Sequence, residues 1–243
     1  GLDVTSEEFV LISGATPVIL EQLAVRGDGL ARLDAEIDTT DGVLVEPAVR
    51  LEGDTLVRND GSGAVTFGSA IDGPAILTIE NNGEIVIRGN VGQMQALQSL
   101  ILRSGDNILL GDTGQALALN LDEDFISDAQ GILRLGAVDG DEPVTITAGR
   151  LVQLNTDRAN VGDTATIEGR GPLTIDAEQI NMGRNQKLTA LGDVIFTADS
   201  VELSDITTTG DLVIDANSIG LLLRSSGPVG NDQVAVTNGL ESD

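Results

Sequence analysis

The chain has 243 residues, a formal net charge of −26, no cysteine, no histidine and a single lysine. These counts exclude disulfides, zinc sites built on Cys or His, and nucleophilic triads that need a histidine. The charge excludes nucleic acid and anionic membranes as partners, and no segment has the roughly 20 apolar residues that membrane insertion requires. Since 41% of the residues are hydrophobic and only 2% aromatic, we expect a folded chain with an aliphatic core.

The N-terminal segment contains strand signals without a clean register. Apolar residues alternate at positions 9–12, 18–20 and 43–45, as they do in half-buried strands. Positions 21–25 are compatible with either a helix or an extended segment. We therefore predict irregular N-terminal coils for residues 1–60.

In the middle of the chain the aliphatic positions recur after a constant number of residues, so that residue 77 corresponds to residue 100. Under this shift four positions coincide, namely Leu77, Ile79, Ile85 and Ile87 with Leu100, Leu102, Ile108 and Leu110. The pattern indicates two strands per coil joined by an arc, in which residues 91–97 are able to form a short helical turn.

A short motif occurs four times in the C-terminal part of the chain. Its strand carries an aliphatic residue or Phe at alternate positions, followed by an Ala and then by a second apolar pair. The copies begin at Glu142, Gly171, Gly192 and Gly210, so the spacing between them shortens along the chain. A repeat of about 20 residues is typical of a solenoid, in which each unit buries its apolar face against its neighbours.

These patterns predict an all-β fold, a single-stranded parallel β-helix (β-solenoid), as one domain over residues 1–243. Within this domain we expect regular coils over residues 61–222 and a C-terminal end over residues 223–243. An antiparallel sandwich or barrel also has short, evenly spaced strands. The parallel form is favoured because the repeats match in sequence and few turns are of the Asn-Gly type that hairpins prefer.

Several of these segments resemble the repeat units of giant bacterial surface proteins of the filamentous haemagglutinin type. The segments are residues 63–73, 75–79, 83–92, 96–102 and 192–214. The resemblance covers residues 60–222, and it implies a right-handed β-helix that is exported and then displayed or shed as an adhesin or matrix filament. The secretion domain typical of two-partner exoproteins is not recognisable, so the chain is similar to an interior stretch or to a smaller relative.

On this basis we expect a structural or adhesive role, without catalysis, at a bacterial cell surface or in the extracellular medium. The expected partners are neighbouring copies or further repeats of the same protein, and host or surface glycans. Because the sequence opens on Gly1 rather than Met, any export signal is expected upstream, in a longer precursor.

Acidic turn residues are the candidates for a metal site. Asp139, Asp141 and Glu142 have the composition of a weak Ca²⁺ site, and no other cofactor is predicted. The alternative is that they are ordinary turn residues that bond to their own backbone. A ladder of stacked amides is a second structural expectation, with Asn155, Asn160 and Asn181 as its candidates.

The alternative function is a polysaccharide-degrading β-helix enzyme with an acidic groove. Such an enzyme needs two or three converging carboxylates, and the candidates are Asp122, Glu123, Asp124 and Asp128. A solvated acidic loop explains the same residues. The chain has no Trp or Tyr on which a sugar ring would stack, and this favours the non-catalytic interpretation.

Overall fold

The fold comes from a computed structural model, whose regular structure is entirely β-strand in the described residues. The described residues are 1–111, 115–136, 142–156, 165–169, 172–182, 186–190, 192–203, 205–221 and 234–237. None of them forms a helix long and apolar enough to cross a membrane.

The strands are short, which is expected of a chain that turns a corner every few residues. The first fourteen are β1 (Leu2–Thr5), β2 (Phe9–Ser13), β3 (Val18–Leu20), β4 (Leu23–Arg26), β5 (Leu30–Asp34), β6 (Glu36–Thr39), β7 (Val43–Val45), β8 (Ala48–Leu51), β9 (Thr55–Asn59), β10 (Val65–Phe67), β11 (Ile71–Asp72), β12 (Ile76–Asn81), β13 (Ile85–Ile87) and β14 (Ser99–Ser104). The others are β15 (Ile108–Leu110), β16 (Leu117–Leu121), β17 (Asp124–Ala129), β18 (Leu133–Leu135), β19 (Val144–Ala148), β20 (Leu151–Thr156), β21 (Ala165–Gly169), β22 (Leu173–Asp176), β23 (Gln179–Met182), β24 (Gln186–Ala190), β25 (Val194–Leu203), β26 (Asp205–Thr208), β27 (Leu212–Leu221) and β28 (Val234–Thr237).

These strands stack into three faces of one parallel β-solenoid. The first face is the ten-stranded sheet β1-β4-β7-β10-β13-β15-β18-β21-β24-β26. The second face starts as β2-β5-β8-β11 and continues, through isolated bridges at Val91, into β16-β19-β22 and the first half of β25. The third face is β3-β6-β9-β12-β14-β17-β20-β23 with the second half of β25. The predicted parallel β-solenoid is therefore confirmed.

The register agrees with the repeat spacing read from the sequence. Leu77 pairs with Leu100 on the third face, and Ile85 pairs with Ile108 on the first face, which confirms the constant shift in the middle of the chain. On the second face the three later copies of the Ala motif follow the first in order, since the strands pair as β19-β22-β25-β27. Coil length therefore varies while the strand frame is kept.

The segment 1–60 lies in the same ladders as the rest of the chain. Leu2 pairs with Leu23, Leu23 with Val43, and Val43 with Val65. The alternation is faint in the sequence because some inward positions hold Ala, as at Ala31, which is fully buried. Residues 23–26 are extended rather than helical, since they form β4.

The arc at residues 91–97 is not helical either. Val91 bridges Ile71 and Leu119, and Leu97 bridges Leu121, so both ends of the arc stay in the sheets. The residues between them are mostly bends that bulge outward, and Met94 is 92% exposed.

The core is a set of aliphatic columns that run along the axis. Three phenylalanines, Phe67, Phe125 and Phe196, are fully buried among Leu, Ile and Val. The Ala of the C-terminal motif occupies the corner between the second and third faces, where Ala148, Ala177 and Ala216 are buried. A small side chain suits this corner because the backbone turns there and leaves little room.

Candidate functional site

The predicted Ca²⁺ residues are only partly within the described structure. Asp139 and Asp141 lie outside the described residues. Glu142 is exposed and lies just before β19. Among the residues that the structure describes, no cluster of three or more Asp or Glu is placed to hold a metal ion. The Ca²⁺ site stays a prediction.

The four predicted carboxylates do not form a single cluster, although Glu123 and Asp124 both lie against Arg150. Asp122 and Glu123 precede β17, which begins at Asp124, and Asp128 lies near its other end. The extended chain of this strand separates Asp124 from Asp128 by about 13 Å. Both belong to the outer side of the third face, but Asp128 is exposed whereas Asp124 is 7% exposed.

Arg150 explains how the charge of Asp124 is tolerated at a buried position. Its Nε donates to Asp124 Oδ1 at 2.7 Å, and its Nη2 donates to Asp124 Oδ2. Glu123 Oε2 lies 3.7 Å from the same Nη2. The hydrogen bonds to Asp124, supported by its charge, raise the pKa of Arg150. The ion pair joins two successive coils.

Arg58 makes the most extensive contact of this kind. Its Nη1 donates to Glu36 Oε1 at 2.9 Å and to Asp38 Oδ1 at 3.0 Å, and both acids belong to the preceding coil. Its Nε donates to Glu80 Oε2 of the following coil at 3.4 Å. The hydrogen bond to Glu36, with smaller contributions from Asp38 and Glu80, raises the pKa of Arg58.

These contacts belong to an outward column of alternating charge on the third face. Successive strands place Asp38, Arg58, Glu80, Arg103 and Asp128 at the same register position. We call these five residues the charge column. Arg103 Nη1 donates to Glu80 Oε1 at 2.8 Å. Asp128 makes no ion pair or side-chain hydrogen bond within the described part of the chain.

A buried polar ladder lies one residue further along the same strands. It consists of Thr39, Asn59, Asn81 and Ser104, and each is at most 5% exposed. Thr39 Oγ1 donates to Asn59 Oδ1 at 3.1 Å, and Asn59 Nδ2 donates to Asn81 Oδ1 at 2.7 Å. Buried polar groups must be paired in this way, because leaving one unpaired in the core is costly.

The amide ladder therefore lies elsewhere than the sequence pattern suggested. Asn155 pairs with Asp128, whereas Asn181 pairs with Gln153, so the two amides occupy different columns. Asn160 lies outside the described residues. The amides that do stack are Asn59 and Asn81, and both follow a charged residue near the end of a strand.

A groove runs beside the polar ladder along the corner between the third and first faces. One row of its lining is Arg58, Glu80, Arg103 and Asp128, and the other is Asp60, Asn82, Gly105 and Gln130. Buried Asn59, Asn81 and Ser104 lie between the rows. We call this the third-face groove. It encloses about 460 Å³, within the range of about 300–1,000 Å³ that is common for ligand sites.

A second groove follows the corner between the second and third faces. It encloses about 490 Å³ over the repeated Ala positions, and its acidic residues are Asp176, Glu178, Asp199 and Asp215. This groove is acidic throughout, whereas the third-face groove mixes acids, arginines and amides. The Ala motif in the sequence marks its floor, and in the copies of the motif Asp176 and Asp215 directly precede this Ala, whereas Glu178 and Asp199 directly follow it.

Sequence reasoning missed the charge column. The available signal was an acid and an arginine separated by about one coil in repeated pairs, such as Asp38 and Arg58 or Asp124 and Arg150. Comparison of the chain with protein-family models, with curated proteins and with solved structures finds no match.

Proposed function

We propose that this chain is a structural or adhesive segment of a bacterial exported or cell-surface fibrous protein, and that it has no catalytic role. The observation that carries the proposal is the stack of parallel coils, whose ladders start at Leu2 and continue through β27. Such a stack gives an elongated body whose sides are available for contacts along its length. The proposal includes the resemblance to filamentous haemagglutinin repeats, which is based on the sequence motifs.

The acidic surface supports a role that involves binding to neither nucleic acid nor anionic lipid. The net charge of −26 leaves an excess of carboxylates even where Arg26, Arg58 and Arg103 pair across the coils. Like charges on neighbouring rods repel at neutral pH, which opposes contact between their sides.

The pairing of the carboxylates predicted for the enzymatic alternative supports the non-catalytic role, since Glu123 and Asp124 both lie against Arg150. Asp124 is held by Arg150, and Asp128 lies about 13 Å away along the strand. Glycoside hydrolysis needs two carboxyl groups at about 5–10 Å on either side of the scissile bond. Phe67, Phe125 and Phe196 are buried, so they offer no stacking surface for a sugar ring.

Immunogold electron microscopy of the producing cells tests the proposal. Antibody raised against this chain should label filaments or a surface coat, and the label should disappear in a strain that lacks the gene. Protein found only in the cytoplasm, or only as a free monomer in the medium, would contradict the surface role. In the second case, the purified chain should be assayed for a loss of polysaccharide viscosity.

A further inference from the structure

We infer that the third-face groove binds a neutral, hydroxyl-rich chain, that is, an extended polysaccharide without charged groups. This inference rests on the adhesive part of the proposed function, for which it names the ligand chemistry and the site. Polar groups are left open at one end of the groove, next to Arg103 and Asp128.

The number of ion pairs made by each residue of the charge column declines toward the end that holds Arg103 and Asp128. Arg58 contacts three carboxylates, whereas Arg103 contacts only Glu80 among the described residues. Asp128, the next residue in the column, has no side-chain partner in the described structure. A guanidinium group has five N–H donors, so Arg103 keeps most of its donors beside an open carboxylate.

The other row of the groove lining adds further polar groups that are open to a ligand. Asn82 is exposed, and since its Nδ2 donates to the Asp60 carbonyl at 2.7 Å, its Oδ1 remains available as an acceptor. Gln130 is exposed as well. Gly105 stands between them, and its backbone packs closely on Asn82, since a Cβ at Gly105 would lie 2.5 Å from the Asn82 carbonyl oxygen. A sugar hydroxyl both donates and accepts, so it can bond to a carboxylate and a guanidinium at the same time.

The charge of the groove selects a neutral ligand. Its lining holds three carboxylates, Asp60, Glu80 and Asp128, against two guanidinium groups, Arg58 and Arg103. The groove is therefore close to neutral, whereas the whole chain carries −26. An anionic polymer would be repelled by the surrounding surface, and a polycation would find the acidic groove over the Ala corner more favourable than this one.

The shape of the groove fits an extended chain. Each of its two rows takes one residue from each of four successive coils, whose strands are spaced about 4.8 Å apart along the axis. This spacing is close to the length of one sugar residue in an extended polysaccharide, so equivalent positions of the groove can meet successive residues. The groove has no aromatic residue in its lining, and we therefore expect weak binding that depends on hydrogen bonds.

Titration of the ¹⁵N-labelled chain with neutral and anionic hexasaccharides tests the inference. The neutral probes are cellohexaose, xylohexaose and chitohexaose, and the anionic probe is hexagalacturonate. At least one neutral probe should give saturable shifts at the amides of Asn82, Gly105 and Gln130, and hexagalacturonate should not. The inference is wrong if no neutral probe binds there, or if hexagalacturonate binds equally well.

Two double variants identify the residues responsible. Arg103→Gln with Asp128→Asn should weaken binding at least tenfold, because both open groups are lost. Arg88→Gln with Glu7→Gln removes one positive and one negative group from exposed positions elsewhere, and it should leave binding unchanged. Equal binding by the two variants would overturn the assignment. If no neutral probe binds but antibody labels the cell surface, this inference is wrong and the proposed function stands. If a neutral probe binds but the chain is not at the cell surface, only the proposed function is contradicted.

Discussion

Asn59 shows how the solenoid core accommodates an amide at the scale of a single residue. It is 1% exposed, and its Nδ2 is shared among Asn81 Oδ1 and the carbonyls of Gly61 and Gly63. The amide therefore ties a corner of its own coil to the next coil. Pairing of this kind is what allows a polar side chain to lie inside a folded chain.

Replacement of Asn59 by Ala should lower the free energy of unfolding by about 1–3 kcal/mol, because buried acceptors lose their donor. Asn82→Ala is the matched control, since Asn82 is exposed and bonds to a single carbonyl. We expect a change of about 0.5 kcal/mol or less for the control. Urea unfolding followed by circular dichroism measures both, and equal losses would contradict a role for burial.

Gly61 is required for a different reason, which is the distance between successive coils. A Cβ added there would lie 1.8 Å from the carbonyl oxygen of Thr40 in the preceding coil. A backbone atom cannot move aside as the end of a flexible side chain can. At Gly14 the nearest atom, the carbonyl oxygen of Thr16, would be 3.5 Å away, an ordinary contact.

Gly61→Ala should therefore destabilise the chain by about 1–3 kcal/mol, as overpacking does in other cores. Gly14→Ala should change stability far less. Thermal unfolding of the two variants under the same conditions is the measurement, and a Gly14→Ala effect as large as that of Gly61→Ala would refute the steric argument.

At the scale of the element, a single strand contributes little to the stability of the fold by itself. Strands such as β10 and β15 are so short that only their two end residues face inward, so a coil is held mainly by its neighbours. Arginines reinforce that contact from outside: Arg26 reaches Asp3 and Glu46, and Arg58 reaches the coils on both sides. In a chain with so many carboxylates, each such arginine also relieves repulsion between stacked acids.

Arg58→Gln should reduce stability at low salt by about 1 kcal/mol or less, since the side chain is about one third exposed and the ion pairs are partly screened. The loss should shrink at high salt. Arg88→Gln is the control, because Arg88 has no ion pair within the described part of the chain. Thermal unfolding at two salt concentrations provides the test.

The pH dependence of the Arg58 effect follows from the direction of its pKa shift. The folded chain raises the pKa of Arg58, so the associated stability is fully present below the ordinary guanidinium pKa and is lost only as pH rises through the raised value. The stability difference between wild type and Arg58→Gln should thus be constant from about pH 6 to pH 9. A marked decrease within that range would show that another group is responsible.

For the whole molecule, stability and association are set by different parts of the structure. The aliphatic columns hold the coils together, and the outer carboxylates hold separate molecules apart. The isoelectric point near 4.1 means that the repulsion vanishes well below neutral pH.

Lowering the pH toward about 4 should therefore cause reversible association of folded chains. Light scattering should rise near the isoelectric point and fall again on return to neutral pH, while circular dichroism retains its β-strand signal. Association accompanied by loss of that signal would instead mean that acid unfolds the chain first.

The fold was accessible from the sequence more fully than the site. The shift that places Leu77 on Leu100 was visible because both are inward residues in equivalent strands. The stacking of Asn59 on Asn81 was not, because amides also occur in ordinary turns, and only burial distinguishes the two roles. The carboxylates at 122–128 looked like a cluster because they are adjacent in sequence, yet a strand separates neighbours by about 3.3 Å per residue.

The sequence alone determined the parallel stack of aliphatic coils, because inward positions must be apolar in nearly every coil and therefore repeat. The tertiary structure decided which outward residues meet. Coil lengths differ, so only the register places Arg58 between Asp38 and Glu80, or brings Arg150 to Asp124. Outward positions accept many residue types, and their partners lie a whole coil away, so local pattern carries little information about them.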